Sequence, residues 1–432
     1  MGTLRGLRKF WIPVTTMVLT CFSSAVAQMS YQVTDLGVLH SNNNLGCAMS
    51  LNDEGWTFIM SGNLPPGEQD NQLGQLLNGR GMLDIDGFKF DLGTLGGKNT
   101  WMNWGQINDF GQIVGYSETK VLDPNGEDIC GFGTHLSCRP FIWQLFHMSA
   151  LRTLGGNNGQ ASGINLGGQI AGYAENGVVD PTCPSGTTNN RLDLGALWAN
   201  GDPKTVPAAL LPLVGDTDSI AFGINDQGQT VGYSGTCTAA NHAVIWQNRT
   251  PTALPDLGVE GLSLAWAIND QGQMVGEVLR PDGATTYAAF WPNPNEIISL
   301  GTLPGDFGSL ASGISPDGQT IVGSTWDSNL NWTHAFIYQN GTMTDLNTLF
   351  PANSNLYATM GNKINARGQI SGMAIVQSGP DKGNIHAFLA TPVHQSIGRS
   401  MADVAGTLPK ITMPANVGNQ LLRRFGPGQF RR

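Results

Sequence analysis

A nine-residue motif that recurs along the chain constrains the fold more than any other feature of the sequence. Its clearest copies read Ile-Asn-Asp-Gln-Gly-Gln-Thr-Val-Gly at 224–232 and Ile-Asn-Asp-Gln-Gly-Gln-Met-Val-Gly at 268–276. Looser copies lie at 107–115, 164–172, 314–323 and 364–372, and a degenerate copy lies at 51–62. The Asn positions, one of them occupied by Ser, follow one another at intervals of 56, 57, 60, 44, 46 and 50 residues, which predicts seven repeated units.

Each copy of the motif predicts a tight turn between two β-strands. Asn or Asp opens the turn, because its short side chain can accept a hydrogen bond from the backbone two residues later. A glycine follows three residues after that position in every copy, as a positive φ at the end of a short hairpin demands. We expect these glycines to be structural: Gly55, Gly111, Gly168, Gly228, Gly272, Gly318 and Gly368.

Two further strand motifs follow the hairpins. The third strand reads Arg-Pro-Phe-Ile-Trp at 139–143 and His-Ala-Phe-Ile-Tyr at 334–338, and the fourth reads Ile-Ser-Leu-Gly-Thr-Leu at 298–303. Four short strands in about 45 to 60 residues are typical of a propeller blade. A β-solenoid is the alternative, but its rungs need a near-constant length. The sequence therefore predicts an all-β fold, a β-propeller of seven four-stranded blades, with six or eight blades as alternatives.

The ends of the repeat predict how the ring closes. The last unit stops after its third strand, at 388–393, and an isolated strand of the fourth type stands at 31–37. If this N-terminal strand completes the last blade, no sheet edge stays open between the first and last blades. An open solenoid gives no reason for this offset.

The composition agrees with a turn-rich β protein and excludes other classes. The chain holds 58 Gly and 11 Trp among 432 residues, and only 12% of its residues are charged. A disordered chain has few aromatic residues and high charge, and a long coiled coil needs the charges that are missing here. Collagen needs a glycine at every third position, which this sequence lacks.

The first 27 residues have the pattern of a secretory signal peptide. Arg5, Arg8 and Lys9 precede an apolar run from 10 to 21, and small residues lead to a cleavage site after Ala27. A membrane-spanning helix is the alternative, but the run is shorter than about 18 apolar residues and contains Pro13. We see no later segment that could cross a membrane as a helix. We therefore predict a signal peptide at 1–27, a propeller at 28–393 and a tail at 394–432, in a secreted or surface-associated protein.

Charge is distributed unevenly along the chain. Once the three cations of the leader and the net charge of +5 on the tail are set aside, the formal charge of −10 leaves −18 on residues 28–393. Nucleic acid is excluded as a partner, because phosphate binding needs a basic patch. The tail combines basic residues with Pro409, Pro414 and Pro427. This composition predicts a flexible, disordered end, with an arm that contacts an anionic surface as the alternative.

Five cysteines remain after the predicted cleavage. Cys130 and Cys138 stand eight residues apart in one glycine-rich insertion and are the best candidates for a disulfide, and Cys183 and Cys237 are the second pair. Cys47 is left as a buried thiol. Disulfides fit an exported protein, and no Cys-x-x-Cys spacing indicates zinc.

With these motifs in order, residues 31–392 resemble the bacterial extracellular HAF-repeat family, which is named for the His-Ala-Phe seen at 334–336 and 386–388. The hairpin, the His-Ala-Phe strand and the Asp-Leu-Gly-Thr-Leu strand occur in the same order. The resemblance implies a secreted or surface-associated bacterial protein, and it implies no activity. The chain departs from members with an apolar C-terminal sorting helix, because its own tail is polar and basic.

Two sets of repeated side chains could form a site, each beside a structural alternative. His242, His334 and His386 share one repeat position and could bind a metal around a channel, but a hydrogen bond within each blade explains them better. The turn asparagines could surround a ligand, although the turn itself favours that residue type.

Outside the repeat, Asp123, Asn125 and Asp128 lie around a glycine turn in the insertion of the second unit. Closely spaced oxygens suit Ca²⁺, and a solvated acidic loop is the alternative. Trp101, Trp104, Trp326 and Trp332 fall in connections, where they could form a sugar-binding surface or pack beneath loops. We find no nucleophile or zinc-protease motif and predict no catalytic residue, with calcium as the one candidate cofactor.

The sequence therefore predicts a monomeric, non-catalytic propeller that binds a glycan or a surface protein outside the cell. The longest insertions, 117–139 and 174–193, follow the second strands of adjacent units, so we expect them to rise side by side and form the site. The second hypothesis is a glycoside hydrolase or lyase that acts on polysaccharide, favoured if acidic residues converge at the channel mouth. A structural component of the cell envelope is the third.

Overall fold

The computed structural model describes residues 30–63, 77–101, 105–237 and 239–393. The predicted signal peptide at 1–27 and the predicted tail at 394–432 lie outside the described residues, so both stay predictions. Trp104 lies outside them as well, and Trp101 is described only as the last residue of a strand.

The described residues form antiparallel sheets of four strands each, which we call units and number in chain order. Unit 1 holds β2 (Leu45–Leu51), β3 (Thr57–Asn63), β4 (Leu77–Ile85) and β5 (Phe88–Asp91); unit 2 holds β6 (Gly96–Trp101), β7 (Ile113–Leu122), β8 (Leu136–Gln144) and β9 (His147–Ala150); unit 3 holds β10 (Gly159–Ile164), β11 (Ile170–Val179), β12 (Arg191–Trp198) and β13 (Ala208–Leu210). Unit 4 holds β14 (Asp218–Ile224), β15 (Thr230–Thr236), β16 (Ala239–Gln247) and β17 (Thr250–Ala253); unit 5 holds β18 (Ser263–Ile268), β19 (Met274–Leu279), β20 (Thr286–Asn293) and β21 (Glu296–Gly301). Unit 6 holds β22 (Gly308–Ile314), β23 (Ile321–Trp326), β24 (Trp332–Gln339) and β25 (Thr342–Asp345), followed by a 3-10 helix at Leu346–Leu349; unit 7 holds β26 (Leu356–Ile364), β27 (Ile370–Val376), β28 (Ile385–Val393) and β1 (Ser30–Gly37).

The N-terminal strand β1 is the fourth strand of unit 7. It pairs antiparallel with β28, with Val33 opposite Ala390. A side-chain contact reinforces the pairing, because His386 Nδ1 lies 2.9 Å from Asp35 Oδ1. This is the arrangement that the offset of the sequence repeat predicts. A single parallel bridge between Leu45 and Ile385 joins unit 1 to the same sheet.

The hairpin turns have the backbone that the motif predicts. The glycine of each turn has a φ between +70° and +81°. Its amide donates to the carbonyl of the residue that opens the turn, as from Gly228 to Asn225 at 3.0 Å. The side chain of that residue closes the turn from the other side, since Asn225 Oδ1 accepts from the amide of Gln229 at 2.9 Å.

A second glycine of the motif has a different cause, which the sequence did not reveal. In unit 4 the register between β14 and β15 shifts between Ala221 and Gly223, so the first strand bulges toward its neighbour. A Cβ atom added at Gly232 would lie 1.9 Å from the carbonyl oxygen of Ile220. Only glycine fits opposite such a bulge, because no side-chain atom can be accommodated at that distance.

The core lies at the centre of the ring. One cluster of buried side chains draws members from all seven units, including Met49, Phe222, Trp266, Leu310 and Met360 on the innermost strands. Smaller clusters lie between neighbouring units, as where Val231 and Ile245 of unit 4 meet Ala265 and Trp291 of unit 5. Sheets arranged radially around a shared centre, each in contact with the next, form a β-propeller, as the sequence predicts.

Candidate functional site

Two long connections on one face of the ring form a joint surface. The strands β7 and β11 are each ten residues long, and each ends in exposed residues. The connections that follow them meet directly. The amide of Asp128 donates to Asn189 Oδ1 at 2.9 Å, and Arg191 Nη2 donates to Asn125 Oδ1 at 2.9 Å. We call residues 117–139 and 174–193 the insertion platform; its two halves lie side by side, as the sequence predicts.

Two disulfides hold the insertion platform. Cys130 is bonded to Cys138 within the first connection, and Cys183 is bonded to Cys237, which ties the second connection to unit 4. Both pairings agree with the sequence analysis. Cys47 is a buried free cysteine, and burial raises the pKa of its thiol to about 12.

A cluster of carboxyl groups lies beneath the insertion platform, around the side chain of Asn158. Asn158 Nδ2 lies 2.9 Å from Asp123 Oδ2, 3.5 Å from Glu127 Oε2 and 3.1 Å from Glu175 Oε1. Its amide oxygen accepts from the backbone of Cys138 at 2.8 Å, which fixes the nitrogen toward the carboxyl groups. These four side chains, which we call the carboxylate cluster, are almost fully buried.

Burial and neighbouring acidic groups raise the pKa of Glu175 in this cluster and of Asp218, which lies outside it. Burial, followed by the negative charges of Asp193 and Glu127, raises the pKa of Glu175 to about 8. Burial, followed by a hydrogen bond with Asp180, raises the pKa of Asp218 to about 8. Near neutral pH a large share of both groups therefore carries a proton, and the neutral form avoids the cost of a buried charge.

The predicted calcium ligands are occupied by other contacts. Asp123 Oδ1 accepts from the amide of Asn125 at 2.8 Å, and Asp128 Oδ2 accepts from the amide of Gly133 at 2.7 Å. Among the described residues, one set of three His, Cys, Asp or Glu side chains has its ligand atoms within 4.8 Å of one another, namely Asp180, Cys183 and Cys237. Both cysteines of that set are in a disulfide. Calcium binding by Asp123, Asn125 and Asp128 stays a prediction.

The two tryptophan candidates whose side chains the structure describes, Trp326 and Trp332, do not form a surface. Trp326 ends β23 and Trp332 begins β24, so neither stands in the connection to which the sequence analysis assigned it. Both side chains are fully buried, and their rings meet edge to face with centroids 5.2 Å apart. They pack with each other and with the central core, and cannot present a ring face to a sugar.

The repeated histidines each pair with an aspartate. His242 Nδ1 lies 3.2 Å from Asp216 Oδ2, and His334 Nδ1 lies 2.7 Å from Asp306 Oδ2. His386 contacts Asp35 as described above. Burial raises the pKa of Asp306, but hydrogen bonds from His334 and Thr325 outweigh it and leave that pKa below its usual value. The interpretation as hydrogen bonds within each unit therefore holds for these histidines.

The hairpin turns surround the mouth of the central channel, a depression of about 270 Å³. The side-chain amide of each turn asparagine donates to the backbone carbonyl of the equivalent residue in the next unit, at 2.9 to 3.3 Å. These links join Asn52 to Asn108, Asn108 to Asn165, Asn165 to Asn225, Asn225 to Asn269, Asn269 to Ser315 and Asn365 to Asn52. We call this circle of hydrogen bonds the asparagine ring. It is interrupted where Ser315 replaces Asn, because the Ser315 hydroxyl donates instead to Asp317.

Four carboxyl groups from four units line the same mouth: Asp53, Asp109, Asp226 and Asp270. One oxygen of each accepts from a backbone amide of the preceding unit at 2.8 to 2.9 Å, as Asp270 Oδ1 does from Asp226. Below the mouth lies the apolar central core. Glu277 is a buried carboxyl group within it and accepts from Trp266 Nε1 at 3.2 Å, and burial raises its pKa to about 7.

The carboxylate cluster was not predicted from the sequence, although the repeat contains a signal for it. Glu118 and Glu175 occupy the same position of the repeat, five residues after Ile113 and Ile170, and both are buried. Charged residues at one repeat position of adjacent units indicate a shared environment. Asn158 carries the same signal, because Asn99 occupies the equivalent position after Thr-Leu-Gly-Gly in unit 2 and donates to Glu118 Oε2 at 2.9 Å.

The chain is similar in structure to several propellers, at low sequence identity. The β-propeller domain of the Trilobed protease from Pyrococcus furiosus has 12% identity and a TM-score of 0.43, with 71% of this chain and 81% of that chain covered. The gluconolactonase XC5397 from Xanthomonas campestris has 10% identity and a TM-score of 0.36, with 84% and 89% covered. A puromycin hydrolase has 9% identity and a TM-score of 0.45; 79% of this chain is covered, and the chain spans about half of that protein (51%). These TM-scores lie below 0.5, so the fold rests on the strand pairing above and no activity follows from the likeness.

The sequence matches no protein-family model and is not similar to any curated protein. Within the ranges that the structure describes, no helix is long and apolar enough to cross a membrane.

Proposed function

We propose that the protein is a secreted, non-catalytic propeller that binds a glycan or a surface protein through the insertion platform. The observation that carries this proposal is the construction of the platform. Two neighbouring connections are joined by direct hydrogen bonds and held by two disulfides. Ordering loops in advance lowers the entropy cost of binding, which is what a recognition surface gains from such links.

The exposed side chains of the platform support a binding role. Leu122 is 67% exposed at the end of β7, and Val178 and Val179 are 55% and 51% exposed at the end of β11. Apolar side chains exposed next to polar ones are typical of contact surfaces. The HAF-repeat resemblance, the predicted leader and the disulfides support a location outside the cell.

Binding by residues 28–432 to a glycan array and to bacterial surface-protein extracts tests the proposal. We expect Leu122→Ser combined with Val179→Ser to weaken binding severalfold, since it removes the apolar contact while leaving the disulfides. The matched control is Val206→Ser combined with Ile298→Ser, which changes two exposed apolar residues outside the platform. Equal loss in both double variants, or no loss in either, would contradict the proposed site.

A second candidate, a polysaccharide-acting enzyme at the channel mouth, is favoured by one observation. Carboxyl groups from four units line a single depression, as the sequence analysis required of such an enzyme. If the second oxygens of Asp226 and Asp270 act on a substrate, the wild type releases reducing ends or unsaturated sugars from polysaccharide. Asp226→Asn then loses at least about a hundredfold in rate. Absence of turnover on a broad polysaccharide panel removes this candidate.

A further inference from the structure

The face of the ring that carries the hairpin turns, called here the turn face, leaves an apolar patch uncovered. The patch consists of Phe88, Phe110, Leu145 and Phe146, which are 72%, 73%, 92% and 73% exposed. The Phe146 ring lies 5.7 Å from the Phe90 ring of unit 1, which joins the two units. The turn face is opposite to the face that carries the insertion platform. In each antiparallel unit the connections after the first and third strands emerge at one end, and the connection after the second strand, which forms the platform, emerges at the other.

The backbone at the patch is unusual for the residues it carries. Leu145 and Phe146 form the two-residue turn between β8 and β9 with φ of +50° and +60°. The equivalent turns of units 1 and 6 use Asp86-Gly87 and Asn340-Gly341, the residue types that this left-handed backbone favours. A leucine and a phenylalanine at positive φ cost stability, and here both side chains point into solvent. Such a strained and exposed apolar turn indicates that the patch is a contact surface for another segment of polypeptide.

The turn face is also acidic around the patch. The hairpin turns carry one exposed guanidinium group, that of Arg367, and six exposed or half-buried carboxyl groups. The carboxyl groups belong to Asp53, Glu54, Asp109, Asp226, Asp270 and Asp317. An occupant of this face must therefore bring apolar groups and positive charge together.

The chain itself supplies such a segment, and it leaves the described structure at this face. Thr391, near the end of β28, accepts on its hydroxyl from Gln369 Nε2 of the last hairpin turn at 3.1 Å. Beyond Val393 the sequence holds six cations and one acidic residue, and 421–432 reads Leu-Leu-Arg-Arg-Phe-Gly-Pro-Gly-Gln-Phe-Arg-Arg. The 27 residues from 394 to 420 reach about 30 Å as a random coil, enough to cross from unit 7 to units 1 and 2.

We propose that residues 421–432 dock on the turn face of their own chain. Leu421, Leu422, Phe425 and Phe430 cover the apolar patch, and the four arginines of the segment lie over the carboxyl groups of the hairpin turns. Tethering makes the contact intramolecular, so a weak interaction per residue is enough to hold the segment in place. The proposal is independent of the binding role assigned to the insertion platform, since it concerns the opposite face.

Photo-crosslinking in residues 28–432 tests this docking. A benzoyl-phenylalanine in place of Phe425 is expected to crosslink within the monomer, to peptides that contain Phe88, Phe110 or Phe146. The yield falls severalfold when salt is raised to about 1 M, where the Debye length is only about 3 Å. It also falls severalfold in the double variant Phe110→Ser with Phe146→Ser.

The matched control is Leu211→Ser with Val214→Ser, two exposed apolar residues on the opposite face. This control keeps the full crosslink yield if the docking is correct, and thermal midpoints confirm that all variants are folded. Crosslinks spread over both faces, a yield indifferent to the patch variants, or crosslinks between two molecules would each overturn the proposal. The last outcome would assign the patch to a second copy of the chain.

Discussion

At the scale of single residues, the hairpin turn of unit 3 separates two reasons for a glycine. Gly168 has a φ of +74°, and a Cβ atom added to it would meet nothing closer than 3.9 Å. Its neighbour Gly167 lies outside the positive-φ region, and a Cβ there would lie 3.4 Å from Asn165 Oδ1, an ordinary contact. The equivalent position holds Gln227 in unit 4. The backbone therefore requires glycine at the first position and not at the second.

We expect Gly168→Ala to lower the free energy of unfolding by about 1–2 kcal/mol, the cost of a Cβ atom in a left-handed backbone. Gly167→Ala in the same turn should be neutral or stabilising by up to about 1 kcal/mol, because it only restricts the unfolded chain. Urea denaturation followed by tryptophan fluorescence measures both values. An equal effect of the two substitutions would show that φ does not determine the choice of glycine here.

At the scale of elements, the carboxylate cluster couples the ends of β7 and β11 to the connections above them. Its charge state follows from positions that are far apart in sequence, since Glu127 lies in the connection after β7, Asn158 lies in the connection before β10, and Glu175 lies on β11. Glu175 of the cluster and Asp218, which accepts from the amide of Asp193 at the edge of the platform, have pKa values of about 8 and give this region a pH-dependent stability.

Stability is expected to fall as the pH rises, because folding raises the pKa values of both carboxyl groups. The folded pKa values of Glu175 and Asp218, about 8, lie above the value of about 4 expected in the unfolded chain. Their stabilisation is complete below about pH 4 and is lost as the pH rises through about 8. The free energy of unfolding should therefore fall between about pH 5 and pH 8, by at most about 1.4 kcal/mol per pH unit for each group. Urea titrations at intervals across this range measure the slope.

Removing one titrating group isolates its share of the slope. Glu175→Gln should reduce the slope and leave the variant more stable than the wild type near pH 8, and Asp218→Asn should do the same. Glu260→Gln, at an exposed position, should leave the slope unchanged. A wild type whose stability rises between about pH 5 and pH 8 would contradict the assignment.

At the scale of the whole molecule, the last unit depends on β1 for its fourth strand. Tyr31 on this strand is 2% exposed and joins a buried cluster with residues of units 6 and 7, including Ile337 and Phe388. The neighbouring Gln32 points into solvent. One strand from the start of the chain therefore carries part of the core of the last unit.

We expect Tyr31→Ala to lower the free energy of unfolding by about 3–5 kcal/mol, as for other large buried aromatic residues. The shared central core should also keep unfolding cooperative, so the loss appears as a shift of the main transition. Gln32→Ala should change the midpoint by less than a degree or two, or about 0.5 kcal/mol. Differential scanning calorimetry compares the two variants, and a separate early transition in Tyr31→Ala would show that unit 7 unfolds on its own.

The sequence predicted features that lie within one repeat, but it did not predict which distant side chains meet in the folded protein. The turn glycines, the order of four strands and the offset of β1 depend on residue types within one repeat, so the motif predicts them. Both disulfides follow from a small number of cysteines. The burial of Trp326 and Trp332 and the meeting of the carboxyl groups at Asn158 depend on how distant connections fold back. The repeat marks Glu175 and Asn158 as recurring positions, but no local pattern shows which distant side chains meet there.

The direction of the hydrogen bonds in the asparagine ring has a consequence for how such a chain can change. Every unit except the sixth donates to the next, so the contacts are head-to-tail, as in a cyclic oligomer whose subunits have been fused. A head-to-tail ring closes at only one angle of rotation between neighbouring units. Adding or losing a unit would change that angle, and so would alter every contact at once. Lengthening a connection alters none of them. Variation in length is thus confined to the connections, where units of 44 to 60 residues coexist with one hairpin geometry.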